Sequence, residues 1–173
     1  MVEVISSQRV FSGRAFNVRV DQVRVNESPP RSWEVVEHTG AVTMVPVDEE
    51  GNVWMVRQYR HSAAAELLEL PAGTVEPGED PDATAARELQ EEIGMAAADL
   101  KRIGEFFLAP GYSSELMRLY LAQGLTPAAL PPDADEDIRV EKIPFPDAVR
   151  MAIDGQIRDA KSVAGLLLAA HRR

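Results

Sequence analysis

Residues 73–95 read GTVEPGEDPDATAARELQEEIGM, and the spacing of apolar residues changes inside this stretch. The segments before it alternate apolar and polar residues, as strands do, whereas the segment after Asp80 has a helical spacing. Asp80 is a preferred N-cap residue, and Pro81 suits the first helical position. We predict a helix that begins there and ends near Ile93, because Gly94 is a common helix stop.

The predicted helix concentrates negative charge in its last turns, with Glu88, Glu91 and Glu92 within five positions. Like charges three and four residues apart repel each other on a helix, and the helix dipole disfavours anions at this end. On a helical wheel of about 100° per residue the three carboxylates share one flank, where Arg87 is positioned to pair with them. This flank borders an apolar stripe that comprises Ala85, Ala86, Leu89 and Ile93.

A divalent cation would relieve the repulsion between these carboxylates. Oxygen ligands without cysteine or histidine clusters suit Mg²⁺ or Mn²⁺. The chain has no cysteine, which excludes disulfides, thiolate metal sites and cysteine nucleophiles. We therefore predict a site for Mg²⁺ or Mn²⁺ on this helix. Taken alone, the acidic cluster also fits a solvated helix face.

The composition is that of one ordinary globular domain. Of 173 residues, 45% are apolar and 27% are charged, and the net charge is -10. This charge argues against binding to nucleic acid or to an anionic membrane, and an anionic substrate would need metal ions or local arginines. The N-terminus lacks an apolar signal core, and the run VAGLLLAA at 163–170 is too short to span a bilayer. We expect a cytoplasmic protein.

The rest of the chain reads as strands with two further helices. The sequence DEEG, residues 48–51, predicts a hairpin between its flanking strands. The mixture of elements favours a mixed sheet with helices on its faces. Strands are predicted in the first 36 residues and at 41–47, 52–60, 65–70, 102–109, 116–123 and 138–145, and helices at 146–155 and 159–173.

Residues 73–95 resemble the Nudix box, G-x5-E-x7-R-E-U-x-E-E-x-G-U, where U is apolar. The resemblance implies an α+β protein with the Nudix fold, an α/β/α sandwich with a mixed β-sheet, here with an N-terminal antiparallel strand extension. It also implies hydrolysis of a nucleoside diphosphate linked to another moiety. The fixed positions are met by Gly73, Glu79, Arg87, Glu88, Glu91, Glu92 and Gly94, with Leu89 and Met95 at apolar positions.

The same resemblance implies roles for the box residues. Glu88 and Glu92 look like metal ligands, and Glu91 like a further ligand or one that acts through water. The backbone carbonyl of Ala72 is a metal ligand in the similar enzymes. Arg87 would orient Glu91 or its neighbours by charge-assisted bonds.

The catalytic base is expected in the loop DADEDIRV, residues 133–140. In similar enzymes a glutamate here supplies the base or holds a third metal, and Glu136 is the only glutamate in this loop. Some of those enzymes carry two glutamates two positions apart, and the earlier position is Ala134 here. On this pattern, either Glu136 does both jobs, or Asp133 or Asp135 substitutes after a small register shift. The expected catalytic residues are therefore Glu136 together with Glu92 and Arg87.

Segments outside the box resemble the ADP-ribose pyrophosphatase group, namely FLAPGYSSE at 107–115, VRQYR at 56–60 and WEVVEH at 33–38. In that group the residue matching Trp33 stacks on the adenine, and the one matching Glu34 contacts the base. Arg60 matches an arginine on the phosphate or ribose side of the substrate, with Arg57 as a weaker match. Glu115 matches a carboxylate that binds the terminal ribose hydroxyls.

The resemblance implies a homodimer in which the N-terminal strands, residues 1–38, reach the partner subunit, while residues 39–173 form the Nudix domain. Trp33 and Glu34 would then serve the neighbour's site. A strand arm that folds back on its own sheet is the alternative.

The expected function is Mg²⁺-dependent hydrolysis of ADP-ribose to AMP and ribose 5-phosphate. Another nucleoside diphosphate sugar, such as a GDP-sugar, is the alternative substrate, because a stacking Trp accepts any purine. A Nudix module that senses ADP-ribose without cleaving it is a remote alternative. The complete box, the acidic charge and the absence of room for a DNA-binding domain argue against a sensor.

Overall fold

The computed structural model describes residues 1–131 and 137–172. Among these residues, no helix combines the length and the apolar character of a membrane span. The elements in chain order are β1 Val2–Ser12, β2 Asn17–Val25, β3 Arg31–Glu37, β4 Ala41–Pro46, β5 Asn52–Arg60, β6 Ala65–Glu69, β7 Ala72–Thr74, α1 Pro81–Glu92, β8 Met95–Phe107, β9 Leu116–Pro127, β10 Ile138–Pro144, α2 Phe145–Ile153 and α3 Ala160–Arg172.

The chain forms two compact units. The first consists of Met1–Gly40 with Phe107–Leu116, and the second of Ala41–Phe106 with Met117–Arg173. The first unit therefore includes the internal segment Phe107–Leu116, which the predicted division had assigned to the second domain, residues 39–173. The assignment of residues 1–38 to dimerisation stays a prediction.

The first unit is built on an antiparallel sheet with the strand order β1-β2-β3. All eleven residues of β1 are exposed, whereas β2 buries Asp21 and Val23. The internal segment is attached to the end of β3, because the Val36 N–H donates to the carbonyl of Tyr112 at 2.7 Å and the Ser114 N–H donates to the carbonyl of Val36 at 3.0 Å.

The second unit contains two sheets, with strand orders β10-β5-β6 and β7-β4-β9-β8. Strand β4 pairs parallel with β9 and antiparallel with β7, so the four-stranded sheet is mixed. Every residue of β4 is buried, as expected for a central strand covered on both faces. The predicted mixed sheet is confirmed.

Alternate side chains of the central strands enter two separate cores. Val42 and Met44 of β4 pack in one core, whose helical residues come from or directly follow α1, while Val45 packs in the other core, to which α2 and α3 contribute. Strand β9 divides its side chains in the same way, with Tyr120 in the first core and Leu119 in the second. The sheets therefore lie between α1 and the α2–α3 pair, which confirms the predicted α/β/α sandwich.

The predicted hairpin at residues 48–51 is only partly correct. The tight turn is present, with the Gly51 N–H donating to the Asp48 carbonyl at 3.1 Å and a φ of +81° at Gly51. However, β4 and β5 belong to different sheets, joined at this point by a single bridge between Val47 and Val53. Because β7 and β9 occupy both edges of β4, no edge remains for β5.

Two further differences concern strands with weak sequence signals. Strand β7 is only three residues long and contains Gly73, so its sequence reads as a loop. Strand β8 begins at Met95 rather than near Arg102. The sequence did not predict this start, because three of the first four residues are alanines, which have low strand preference. Both strands flank the acidic helix α1.

Candidate active site

Helix α1 begins and ends as its sequence predicts. The side chain of Asp80 accepts a hydrogen bond from the Asp82 N–H at 2.8 Å, with Pro81 at the first helical position. Gly94 follows the helix with a φ of +69°, a conformation that glycine adopts without strain. The last turn is also attached to a later segment, because the Ala128 N–H donates to the Gly94 carbonyl at 2.9 Å and the Leu130 N–H to the Gln90 carbonyl at 3.1 Å.

The buried side of α1 includes one of the charged residues. Ala85, Leu89 and Ile93 are buried as predicted, but Ala86 is exposed, so its place in the apolar stripe was predicted wrongly. Glu92 is buried, with only 7% of its surface exposed. A carboxylate in such a position requires hydrogen bonds or counter-charges.

Arg87 binds three carboxylates at once. Its Nε and Nη2 reach the two carboxylate oxygens of Glu79 at 3.2 and 3.3 Å, and its Nη1 donates to Glu88 at 2.8 Å and to Glu91 at 2.6 Å. The hydrogen bond from Arg87 lowers the pKa of Glu79, and in return the pKa of Arg87 is raised, first by Glu79. The predicted pairing of Arg87 with Glu91 is present, and it extends to Glu79 and Glu88.

Strand β7 meets the acidic flank of α1 through its backbone. The Ala72 N–H donates to the Glu92 carboxylate at 3.0 Å. Gly73 lies so close to Glu88 that a Cβ built on this glycine would come within 2.0 Å of the Glu88 carboxylate carbon. Only glycine permits this approach, so the first position of the 73–95 pattern brings Glu88 and the strand together.

The donor atoms in this arrangement fit a hard divalent cation. Glu88, Glu91 and Glu92 offer carboxylate oxygens, and Ala72 offers a carbonyl on the strand they meet. Within residues 1–131 and 137–172 no three acidic or histidine side chains stand in a ready metal-binding cluster. In the described geometry Glu88 and Glu91 are both bound by Arg87.

Comparison with known families identifies the arrangement. The NUDIX domain family model matches residues 37–166. The chain belongs to the Nudix family. The Gly73–Met95 stretch is thus a Nudix box in a family member, and the resemblance seen in the sequence is confirmed.

Similar proteins extend the likeness beyond the Nudix box. An ADP-ribose pyrophosphatase of Mycobacterium tuberculosis is 42% identical over 168 residues, which cover 95% of this chain and 81% of the relative. An ADP-ribose pyrophosphatase of Bacillus subtilis is 33% identical over 162 residues, covering 92% and 88%. A solved structure described as ADP compounds hydrolase superposes with a TM-score of 0.88 at 26% identity, covering 99% of this chain and 93% of that one.

The two arginines that we predict to bind substrate both form ion pairs. Arg60 donates through Nε and Nη2 to the two carboxylate oxygens of Glu69, at 2.9 and 2.7 Å. Arg57 binds Glu141 of β10 in the same bidentate way, at 2.5 and 3.2 Å. The guanidinium of Arg60 remains partly exposed, with 39% of its side-chain surface accessible. A substrate-binding role for either arginine stays a prediction.

The predicted base-stacking residue lies in the first unit. Trp33 on β3 is 46% exposed and lines a pocket with Val23, Val25, Ser28 and Arg31. Trp33 is therefore not a core aromatic. Glu34 beside it is also exposed, and Glu115 of the same unit is partly buried, with its N–H donating to the Ser113 hydroxyl at 3.2 Å. Their contacts with substrate stay predictions.

Not every predicted site residue is described. Glu136, with its possible substitutes Asp133 and Asp135, lies outside the described residues. Conversely, the sequence reading missed Glu69, which is buried and holds Arg60. The available signal was an acidic residue between Leu68 and Leu70, both buried, at the end of a strand.

Substitution of Gly73 tests the contact between β7 and the Nudix box. We expect Gly73→Ala to displace the Glu88 carboxylate and to weaken Mg²⁺ or Mn²⁺ binding by roughly tenfold or more. Calorimetric metal titration measures the effect. Gly111→Ala is the matched control, because a Cβ there would meet no atom within 4 Å. Equal metal affinities for the two variants would show that the close approach is unimportant.

Proposed function

We propose that this Nudix hydrolase cleaves the diphosphate bond of ADP-ribose to give AMP and ribose 5-phosphate, with Mg²⁺ as the cofactor. The observation that carries the proposal is the convergence of Glu88 and Glu92 on the backbone of β7. The relatives named ADP-ribose pyrophosphatase, similar over more than nine-tenths of this chain, support this substrate.

The Nudix box supplies the ligands for the cofactor. Glu88, Glu91 and Glu92, with the Ala72 carbonyl, would hold Mg²⁺ or Mn²⁺. When bound, such a cation neutralises charge on the phosphoryl oxygens and lowers the pKa of a coordinated water. The protein's own contribution is to hold the ligands in place before substrate arrives, and this preorganisation is what makes such electrostatic catalysis effective.

Arg87 provides that preorganisation. It binds Glu79 in a bidentate way, which fixes the plane of its guanidinium. The remaining Nη1 then contacts Glu88 and Glu91 together, so the distance between these two carboxylates is restrained. We therefore assign Arg87 an orienting role rather than direct contact with the substrate.

Arg60 is the proposed contact for the diphosphate. Its guanidinium is partly exposed, and the charge of Glu92 is among those that raise its pKa, so it lies within electrostatic reach of the Nudix box. An arginine held on one side by a carboxylate can still donate to a phosphate on the other. In a protein of net charge -10, such a cation offsets repulsion of the anionic substrate.

We propose that the active form is a homodimer in which Trp33 and Glu34 contact the base in the partner's site. The first unit exposes several large apolar side chains, which a monomer would leave in contact with water. A second copy of the chain would cover them. The exposed residues include Val2, Val4, Ile5, Val10, Phe11, Phe16 and Trp33.

A GDP-sugar is the second candidate substrate. The exposed ring of Trp33 offers an apolar face on which any purine can stack, so this contact does not select adenine.

The acidic charge and the absence of cysteine are compatible with the cytoplasm, which we propose as the location.

A substrate panel tests the proposed activity. ADP-ribose, GDP-mannose, NADH and diadenosine polyphosphates are incubated with Mg²⁺, with Mn²⁺ and with a chelator, and the products are separated by chromatography. We expect ADP-ribose to have the highest kcat/KM by on the order of tenfold, and the chelator to abolish turnover. If GDP-mannose ranks first, the substrate is wrong while the family assignment stands.

Glu136→Gln tests the proposed catalytic base. Removal of a general base lowers kcat by on the order of 10²–10⁴, and we expect KM to change little. Asp137→Asn, at the neighbouring exposed position, is the control for loss of one negative charge. Turnover within about threefold of the wild type would remove Glu136 from the mechanism and direct attention to Asp133 and Asp135.

Mixed dimers test whether Trp33 serves the partner's site. Trp33→Ala and Glu92→Gln are each expected to have low kcat/KM at limiting substrate. After subunit exchange, mixed dimers contain one intact site only if Trp33 acts across the dimer, and random mixing then restores about a quarter of the wild-type sites. Mass spectrometry confirms exchange, and an exchanged mixture with no gain in activity would place Trp33 with its own subunit's site.

A further inference from the structure

A cluster of four charged side chains connects Arg60 to the beginning of α3. Glu69, at the end of β6, accepts hydrogen bonds from Arg60 on both carboxylate oxygens and also contacts the Lys161 ammonium. Lys161 in turn binds Asp159 at 2.9 Å. The cluster thus alternates in sign along Arg60, Glu69, Lys161 and Asp159, and all four residues belong to the second unit.

Exposure decreases steeply from one end of this cluster to its centre. The side chain of Arg60 is 39% exposed, whereas those of Glu69 and Lys161 are 1% and 9% exposed. Burial acts to raise the pKa of Glu69, but the hydrogen bond from Arg60 and the charge of Lys161 outweigh it, so this pKa is lowered and the carboxylate is ionised. A buried carboxylate of this kind needs nearby positive charge.

The geometry of Arg60 leaves one part of its guanidinium available. Its hydrogen bonds use Nε and Nη2. In residues 1–131 and 137–172, no acceptor receives a hydrogen bond from its Nη1. Within the described residues, both N–H groups of Nη1 therefore have no acceptor and can bind an anion.

The first turn of α3, which carries Lys161, is held in place by hydrogen bonds of Asp159 and Ser162. Asp159 accepts hydrogen bonds from the N–H of Ser162 at 3.0 Å and from its hydroxyl. The Ser162 hydroxyl oxygen accepts from the Leu70 N–H at 2.7 Å. The residue after Glu69 is thus attached to the same helical turn as Lys161, two positions before Ala72 of the Nudix site.

We propose that Lys161 is a positioning residue for Arg60: it supplies part of the counter-charge that buried Glu69 requires, so that Arg60 can direct its charge and its Nη1 donors at the substrate's diphosphate. This inference rests on the proposed function, in which Arg60 binds the diphosphate. Without Lys161, the positive charge of Arg60 would be the main counter-charge of Glu69 and would attract the substrate less.

The test is a double-mutant cycle between Lys161 and Arg60. We expect Lys161→Met to raise KM for ADP-ribose roughly tenfold while kcat stays within about threefold of the wild type. In the Arg60→Gln background the same substitution should leave KM unchanged within about twofold, because the residue through which Lys161 acts has lost its charge. A purely structural role would change KM by the same factor in both backgrounds.

Two further variants keep the result interpretable. Lys101→Met removes an equal charge from an exposed site of the same unit and should leave KM unchanged. Lys161→Gln keeps an N–H donor for Glu69 but removes the charge, and it carries the same expectation if Lys161→Met does not fold. An unchanged KM in a folded Lys161 variant, or a fall in kcat at constant KM, would overturn the proposal.

An NMR measurement separates this inference from the substrate proposal. The Arg60 Nε–H resonance, assigned with Arg60→Gln, should shift in the Lys161 variant and stay in place in Lys101→Met, with no substrate present. If the wild type does not cleave ADP-ribose, the proposed function fails, and the cycle is run with the substrate of the panel that is cleaved. If the Arg60 Nε–H resonance does not shift in the Lys161 variant, the inference is contradicted whatever the substrate.

Discussion

The four hydrogen bonds of Arg87 allow an acidic helix flank to exist in this fold. Three glutamates near the end of one helix repel each other, and their position opposes the helix dipole. One guanidinium, fixed by Glu79, offsets this repulsion for Glu88 and Glu91. The remaining carboxylate, Glu92, is satisfied differently, by the backbone N–H of Ala72. The helix, the loop before it and strand β7 thus depend on one another.

Arginine–carboxylate forks recur in the second unit with different degrees of burial. Arg57 and Glu141 join β5 to β10 near the surface, whereas Arg60 binds a carboxylate that is almost fully buried. Exposed pairs contribute little to stability, but a buried carboxylate loses much when one partner is removed. The fork at Glu69 therefore sets the orientation of Arg60 more firmly than the fork at Glu141 sets that of Arg57.

Sequence reasoning predicted the features that depend on local pattern. The caps of α1 at Asp80 and Gly94, and the strands whose apolar residues alternate, lie where their residues indicated. The pattern failed where pairing between distant segments decides the structure. Strand β4 is central because β7 and β9 pair with it, and the sequence of a turn cannot show that these edges are taken.

The same limit applied to the site. The Nudix box predicted Glu88, Glu91 and Glu92 as a cluster, because one helix fixes the spacing between them. The partner of Arg60 was not predicted, because strand pairing places Arg60 opposite Ala65 and Glu69 opposite Val56, and only the two long side chains meet. Lys161 is more than ninety positions from Glu69 in the chain, and their contact depends on how α3 packs against the sheet.

The attachment of residues 128–130 to the last turn of α1 has a consequence for how such a domain can diverge. The chain enters residues 132–136 from a point held by Gln90 and Gly94, beside the helix turn that carries Glu91 and Glu92. An insertion or deletion in that stretch would leave this anchor, and with it the acidic cluster, undisturbed. The number of residues at 132–136 could then change in evolution, and with it the position of the expected base Glu136, while Glu88, Glu91 and Glu92 keep their geometry.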